Sequence, residues 1–385
     1  MQRLRTAFLT FLFLFLSVGH LQAATALIPS APQISATSYL VMDADTGKLI
    51  LSSRSDERFA PASLTKMMTS YLVEYELDKG NISKDDLVLV SEKAWRTPGS
   101  RMFIKEGTQV KLDDLLKGII IQSGNDASVA VAEHIAGSES AFADLMNQHA
   151  KLLGMNNTHF NNATGLPAEG HFSTAKDLAI LAKAIIQKFP EHYGVYSEKY
   201  FTYNNIRQPN RNKLLWRDRT VDGIKTGHTD EAGYCLVASA KRDGMRLISV
   251  VMGTSSEEAR AQESQKVLAY AFRYFRTHKL YGADEILSTA KVWGGIQDQV
   301  RLGLDESLAV TIPRGQADQL NATMDVDKVI KAPVVKGQEY GAVRVTLNGE
   351  DVVRVPLVAM ENVEEGGILK QIWHTIMLFF MSLIS

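Results

Sequence analysis

Two apolar runs, Gly233–Ala240 and Met245–Gly253, stand on either side of Lys241-Arg242-Asp243-Gly244, and no other feature restricts the fold of this chain as much. An Asp-Gly turn between runs of strand length predicts an antiparallel pair. A second pair is predicted near the start, where Ser38–Met42 and Gly47–Ser52 are joined by Asp43-Ala44-Asp45-Thr46-Gly47. Between these pairs the period changes. Thr174–Lys188 carries Leu178, Ile180, Leu181, Ala184 and Ile185 at helical spacing, and Ala259–His278 reads as a closing helix. Strands first and last with helices between predict an α/β (α+β) unit from about Ile34 to Arg276, its terminal segments sharing one antiparallel sheet.

After Gly282 the texture is different. Val343–Leu347 and Val353–Leu357 flank Asn348-Gly349-Glu350-Asp351, and no amphipathic helix precedes Glu364. Residues 283–362 therefore read as a small all-β domain with nothing catalytic in it, and Pro356 suggests that its last strand lies at an edge. Two domains suit a length of 385 residues, and 45% apolar with 22% charged residues excludes a disordered or collagen-like chain. Forty-two Lys and Arg against 43 Asp and Glu leave no basic surplus, so no nucleic-acid partner is indicated. The nine histidines come without HExxH and without paired Cys/His spacing, so neither a metal nor another cofactor is expected. One cysteine cannot form an internal disulfide, and Cys235 in Gly-Tyr-Cys-Leu-Val-Ala reads as a small core residue rather than a catalytic thiol.

Both ends of the chain are unusual. Arg3 and Arg5 precede the apolar run Ala7–Val18, and small residues follow at Ala23, Ala24 and Ala26. This run of twelve residues falls short of the roughly 20 that span a bilayer, so residues 1–26 are expected to be a cleaved signal peptide. The other end, 366–385, has no charged residue after Lys370. As a helix it would collect Gln371, His374, Thr375, Ser382 and Ser385 on one narrow stripe and leave the rest apolar. Following Glu364-Glu365-Gly366-Gly367, such a segment is expected to leave the β domain rather than pack into it, and from Ile368 it would reach about 27 Å as a helix, close to the hydrocarbon thickness, so length leaves a span open.

Three short motifs carry chemistry. Ser63-Leu64-Thr65-Lys66 opens a predicted helix over Met67–Leu77, with Pro61 just before it, and a spacing of three brings the hydroxyl and the amine to one face. The amine can take the hydroxyl proton only when neutral, which burial or a second cation favours. Ser-x-x-Lys recurs at Ser173/Lys176 and Ser288/Lys291; Ser173 is expected to be a helix N-cap, and Ser288 lies at the opening of the β domain. Ser123-Gly124-Asn125 separates two helix-like segments, Leu112–Gln122 and Ala127–Ala136, and by itself could be a turn with Asn125 or Asp126 as cap. Lys225-Thr226-Gly227 lies before the Gly233–Ala240 strand.

In this order the three motifs are those of penicillin-binding proteins and class A β-lactamases. With Pro61–Thr69, Ile121–Ala127, Asn157–Phe160, Thr164–Leu166 and Val221–Thr229, the chain strongly resembles the exported serine D-Ala-D-Ala carboxypeptidases, the low-molecular-mass penicillin-binding proteins of bacterial cell-wall metabolism. The trailing β domain and the apolar tail extend the likeness over the whole mature chain. The resemblance implies a catalytic domain over 27–280, the β domain over 283–362, and an amphipathic helix over 366–385 lying on the outer face of the cytoplasmic membrane, within the periplasm. It implies a peptidoglycan stem pentapeptide as substrate and β-lactam antibiotics as covalent inhibitors. Ser63 would be the nucleophile, Lys66 its base, and Ser123 a proton relay to the leaving D-alanine. Asn125 would bind the donor peptide, Lys225 and Thr226 the terminal carboxylate, and Lys225 would also depress the pKa of Lys66. Gly227 would keep its strand bare for substrate, the N–H groups of Ser63 and His228 would form an oxyanion hole, and Arg211 and Arg260 would stand near the cleft.

A β-lactamase shares the nucleophile, but no Glu-x-x-Leu-Asn string lies between Ser123 and Lys225. An endopeptidase acting on cross-links would use the same groups, and weak β-lactamase activity is a further alternative. A catalytically silent wall-binding protein would not need the three motifs intact.

Overall fold

The computed structural model describes residues 28–384, so the export signal expected over 1–26 lies outside the described residues. The predicted strand pairs form one antiparallel sheet. Its strands are β1 (Ser38–Asp43), β2 (Leu49–Ser53), β3 (Val221–Thr229), β4 (Gly233–Arg242) and β5 (Met245–Thr254), in the order β2-β1-β5-β4-β3. First and last segments meet directly, with Leu40 opposite Val250 in the β1–β5 register. Alternation then separates the two faces. Leu40, Met42, Cys235, Val237 and Val250 join the larger core under the helices, while Val41, Leu236, Ala238 and Val251 join a second core.

Helix α1 (Lys66–Asp78), α2 (Asn125–Ala136) and α3 (Ala175–Lys188) belong to the larger core, and α4 (Glu257–Tyr274) covers the other face with Val267, Leu268, Ala271 and Phe272. Each such aliphatic or aromatic side chain removed from water contributes roughly 1.5–3 kcal/mol. Two details differ from the sequence reading. Helix α3 is capped by Thr174, whose hydroxyl accepts from the Asp177 N–H at 3.0 Å; Ser173 instead meets the Thr158 hydroxyl at 2.8 Å. Helix α4 stops at Tyr274, and Phe275–Tyr281 is strand β6 rather than a continuation to His278. Tertiary pairing overrides local helix preference there: β6 lies against Leu308–Pro313, and Thr277 donates to the buried Asp43 carboxylate, which also accepts from Thr311 at 2.7 Å.

The C-terminal unit is all β. Beyond β6 it contains β7 (Ile286–Trp293), β8 (Gln299–Gly303), β9 (Leu308–Pro313), β10 (Leu320–Val326), β11 (Ile330–Lys331), β12 (Glu339–Leu347) and β13 (Glu350–Ala359). Six of these form a sheet in the order β10-β12-β13-β8-β7-β11. The expected Asn-Gly hairpin joins β12 to β13, with φ of 54° at Asn348 and 86° at Gly349. Pro356 is not on an edge strand, since β13 has neighbours on both sides. Pairing with β8 is confined to Val358 and Ala359, so the missing N–H of Pro356 interrupts no ladder on that side.

Helix α5 (Ile368–Ile384) rests on this unit by its polar stripe. The Gly294 N–H donates to His374 Nδ1 at 2.7 Å, the His374 ring stands edge-on to Trp293, and Lys370 pairs with Asp298 at 2.8 Å. The apolar flank faces outward, with Leu369, Trp373, Phe379 and Phe380 exposed. Among the described residues no helix is long and apolar enough to cross a membrane.

Helix α1 is buried along its first nine residues, including Glu74, whose Oε1 accepts from Tyr196 Oη at 3.1 Å while Oε2 has no partner. Burial pushes this carboxyl up to about 8. With a folded value above the unfolded 4.5, its contribution to stability is complete below about pH 4.5 and is lost as pH rises through about 8. Glu74→Gln is therefore expected to flatten the fall of the thermal midpoint across that window. An unaltered slope in a pH series of melting curves would contradict it.

Candidate active site

Ser63 lies in a 3₁₀ turn, Ala62–Thr65, that leads directly into α1 at Lys66. Three residues per turn bring positions i and i+3 into line, and Lys66 Nζ stands 3.2 Å from Ser63 Oγ. Two other acceptors hold the same nitrogen: Asn125 Oδ1 at 2.6 Å and the Thr164 carbonyl at 2.5 Å. A neutral amine has two donors and one lone pair. In that form the two fixed acceptors would take both donors and leave the lone pair for the Ser63 side. Lys66 is fully buried, and burial lowers its amine to about 7, against the opposing pull of Asp126. Burial, rather than the expected effect of Lys225, is thus what brings the Lys66 amine down toward neutrality.

Ser123 is reached through one turn of π-helix, Gly118–Gln122, and adopts the left-handed conformation at φ 68°. Such backbone at a non-glycine residue is costly and requires surroundings that enforce it. Ser123 Oγ accepts from Lys225 Nζ at 2.9 Å. Asn125 begins α2, yet neither it nor Asp126 caps the helix; Gly124 occupies the cap position without a side-chain bond. The Asn125 amide is engaged at both ends, with Nδ2 donating to the Pro98 carbonyl at 2.6 Å. The Lys225 amine is pushed well below its ordinary value by burial, and further by Lys66, Arg260 and Arg211.

Lys225, Thr226 and Gly227 lie on β3, the edge strand next to the Ser63 turn. An edge leaves backbone groups available to an extended ligand. The structure supplies a packing reason for the glycine. A Cβ at 227 would meet the Pro61 carbonyl at 3.0 Å and Leu64 Cγ at 3.2 Å, so Gly227 lets the Ser63 turn pack against β3. Arg260 is buried and donates to the Gly227 carbonyl at 3.2 Å, while His228 is exposed beside the Tyr234 ring at 4.0 Å. Arg211 is exposed.

A recess of about 200 Å³ is lined by Ser63, Ser123, Thr226, Gly227, His228, Arg211 and Arg260, with Glu257 at its wall. Lys66 bonds to Ser63 and Asn125, and Lys225 to Ser123, so all ten candidate residues gather in one place. A larger cavity of about 850 Å³ between 165–172 and 229–233 contains none of the ten, and the chemistry assigns the site to the smaller recess. Neither Ser173 nor Ser288 is among the residues of the recess, and among the described residues no cluster of His, Cys, Asp or Glu could hold a metal.

The sequence reading missed how the segment 161–171 completes the site. Its Thr164 carbonyl binds Lys66, and the segment is tied back by His171, which accepts the Asn161 N–H on Nδ1 at 3.1 Å and so presents Nε2–H to Thr65 Oγ1 at 2.8 Å. Burial lowers His171 to about 4, which keeps this neutral arrangement. Gly165 has φ +79°, and a Cβ there would stand 1.8 Å from the Ala62 carbonyl. The string Thr164-Gly-Leu was visible in the sequence, but nothing in it pointed to the lysine.

A family model described as D-alanyl-D-alanine carboxypeptidase matches residues 25–256, and one for the C-terminal domain of penicillin-binding protein 5 matches 275–365. The chain is 46% identical to the D-alanyl-D-alanine carboxypeptidase DacC of Escherichia coli (strain K12), over 96% of this chain and 94% of that protein. Penicillin-binding protein 5 from Haemophilus influenzae superposes with a TM-score of 0.84 at 43% identity, covering 88% of this chain and all of that one. Penicillin-binding protein D2 from Listeria monocytogenes, solved in its ampicillin-bound form, superposes with a TM-score of 0.59 at 30% identity over 63% of this chain and 100% of that one. With the Ser63–Lys66 pair in place on this fold, the chain belongs to the D-alanyl-D-alanine carboxypeptidase family of serine hydrolases.

Proposed function

We propose that Ser63 carries the D-alanyl-D-alanine carboxypeptidase activity through an acyl-enzyme formed on peptidoglycan stem pentapeptides. The observation that carries this reading is the Lys66 amine, held by Asn125 and Thr164 with its Nζ 3.2 Å from Ser63 Oγ. Lys66 accepts the Ser63 proton as Oγ attacks the carbonyl between the two D-alanines. The backbone N–H groups of Ser63 and His228 receive the developing oxyanion, where fixed donors stabilise a transition state by several kcal/mol. Ser123, in contact with Lys225, relays to the leaving D-alanine nitrogen the proton that Lys66 took from Ser63, so that Lys66 is neutral again and Ser123 keeps its hydroxyl. Water then releases the shortened peptide. The small recess next to Ser63 supports departure of a single amino acid rather than of a second peptide strand. β-Lactams would acylate the same serine, a reading supported by the ampicillin-bound relative.

The terminal carboxylate is assigned to Lys225 and Thr226, with Arg211 and Arg260 nearby. A carboxylate entering the recess draws a proton back onto the buried Lys225 amine. Lys225→Ala is expected to lower kcat/KM for the acid substrate about 100-fold, and Lys225→Arg to lower it less, since the cation is kept. Comparing each enzyme on the acid and on its C-terminal amide checks this. Equal preference for the acid in wild type and Lys225→Ala would transfer the role to an arginine.

Export and anchoring belong to the same reading: the apolar run after Arg5 acts as a signal, and α5 lies in the outer leaflet of the cytoplasmic membrane, holding the enzyme in the periplasm. The outward apolar flank of α5 supports this. Truncation after Glu365 is expected to release soluble, active enzyme from membranes in fractionation. A truncated form that still sediments with membranes would place the anchor elsewhere.

A further inference from the structure

We propose that Asp126 is a positioning residue for the acylation step: its carboxylate pins the wall segment 98–104 onto the Ser123–Asn125 turn and provides the fixed negative charge behind Lys66. The proposal rests on the roles given to Ser63 and Lys66 above. Asp126 is 1% exposed, and both of its oxygens are used. Oδ1 accepts from Met102 N at 3.0 Å and Ala127 N at 2.9 Å, and Oδ2 from Phe103 N at 2.9 Å and Ile104 N at 3.3 Å. Three successive N–H groups converge on one carboxylate because Phe103 adopts φ 70°, a conformation this side chain takes only under constraint.

The pinned segment then reaches the reacting groups. Its Pro98 carbonyl accepts from Asn125 Nδ2 at 2.6 Å, its Ser100 carbonyl accepts from Asn125 N at 2.7 Å, and Ser100 itself lines the recess. Asn125 Oδ1 in turn holds Lys66 Nζ. Asp126 is thus linked to the general base through a continuous series of short contacts, and it does not itself touch the nucleophile.

Its charge acts on the same base. Lys66 is surrounded by Lys225 from β3 and neutral His171 from the 161–171 segment, with Arg260 and Arg211 beyond Lys225. Asp126, on α2, is the anion that opposes the burial of the Lys66 amine; from β-strand Tyr200–Tyr203, Tyr203 also feels this carboxylate. Asp126→Asn removes the charge, which makes Lys66 less basic, and its NH2 cannot accept the two N–H groups that one carboxylate oxygen takes, which loosens the pin.

The test is the pH dependence of Ser63 acylation by a fluorescent penicillin, measured on the full chain. Wild type is expected to lose rate below about pH 7. Asp126→Asn should move that acid limb down by roughly 0.5–1 pH unit and lower the plateau rate about tenfold. Asp126→Glu keeps the charge but not the spacing, so the limb should stay while the plateau falls. Gly99→Ala, whose Cβ would meet Asn125 Nδ2 at 2.6 Å, disturbs the wall without touching the carboxylate and should behave like Asp126→Glu. An unmoved limb in Asp126→Asn overturns the proposal. Should that variant not fold, an unchanged plateau in Asp126→Glu overturns it equally. Absence of labelling in wild type would instead defeat the reading of Ser63.

Discussion

Ser63→Ala is expected to abolish both penicillin labelling and D-alanine release while leaving the melting temperature within a few degrees of wild type. Only one half-buried oxygen is lost, and Lys66 keeps its bonds to Asn125 and Thr164. Removing a nucleophile of this kind lowers turnover by about 10⁴- to 10⁶-fold, the residue being what binding and the oxyanion donors still supply. The informative controls are the other two Ser-x-x-Lys strings. Ser173→Ala loses the contact with Thr158, worth about 1 kcal/mol of stability, and Ser288→Ala alters a strand of the C-terminal unit. Both should label at the wild-type rate. Labelling that survives Ser63→Ala and disappears in either control would move the nucleophile.

Lys66→Arg is expected to be nearly as damaging, with a loss of about 10²- to 10⁴-fold in kcat/KM. It keeps the cation and removes the base, because a guanidinium does not give up its proton in a protein. In wild type the amine sits near 7, so the free-base fraction falls tenfold for each pH unit below that value, and kcat/KM should fall with it. On the alkaline side of 7 the same group is neutral, and the rate should level off. A pH profile with no limb near 7, or an arginine variant that retains activity, would show that another group accepts the proton. Gly165→Ala gives an independent check on the same base, since displacing the 161–171 segment from Ala62 takes the Thr164 carbonyl off Lys66 and should slow acylation at least about tenfold.

Much of the molecule was legible in the chain. Local rules sufficed for the Asp-Gly and Asn-Gly hairpins, for the period of α3, and for Cys235, which is fully buried with its thiol raised to about 11. They failed where a distant partner decided the outcome. Phe275–Tyr281 looks like the end of a helix until β9 offers it a ladder, and the Thr174 hydroxyl rather than that of Ser173 caps α3 because Ser173 is drawn to Thr158 and to an isolated bridge with Phe59.

The sequence by itself determined the order of the three motifs, and a spacing of three is enough to bring Ser63 and Lys66 together on one helical face. It could not determine the proton affinity of Lys66. That property depends on burial at 0% exposure, on Asn125 and the Thr164 carbonyl occupying two donors, and on the charge of Asp126, and these reach the amine from segments 59 and 98 residues away in the chain. Nor could it show that Gly227 is bare for the sake of Pro61 and Leu64, since that contact exists only once β3 lies against the Ser63 turn. Proton affinity is a property of the dielectric and the charges around a group, and only the tertiary structure assembles those around this lysine.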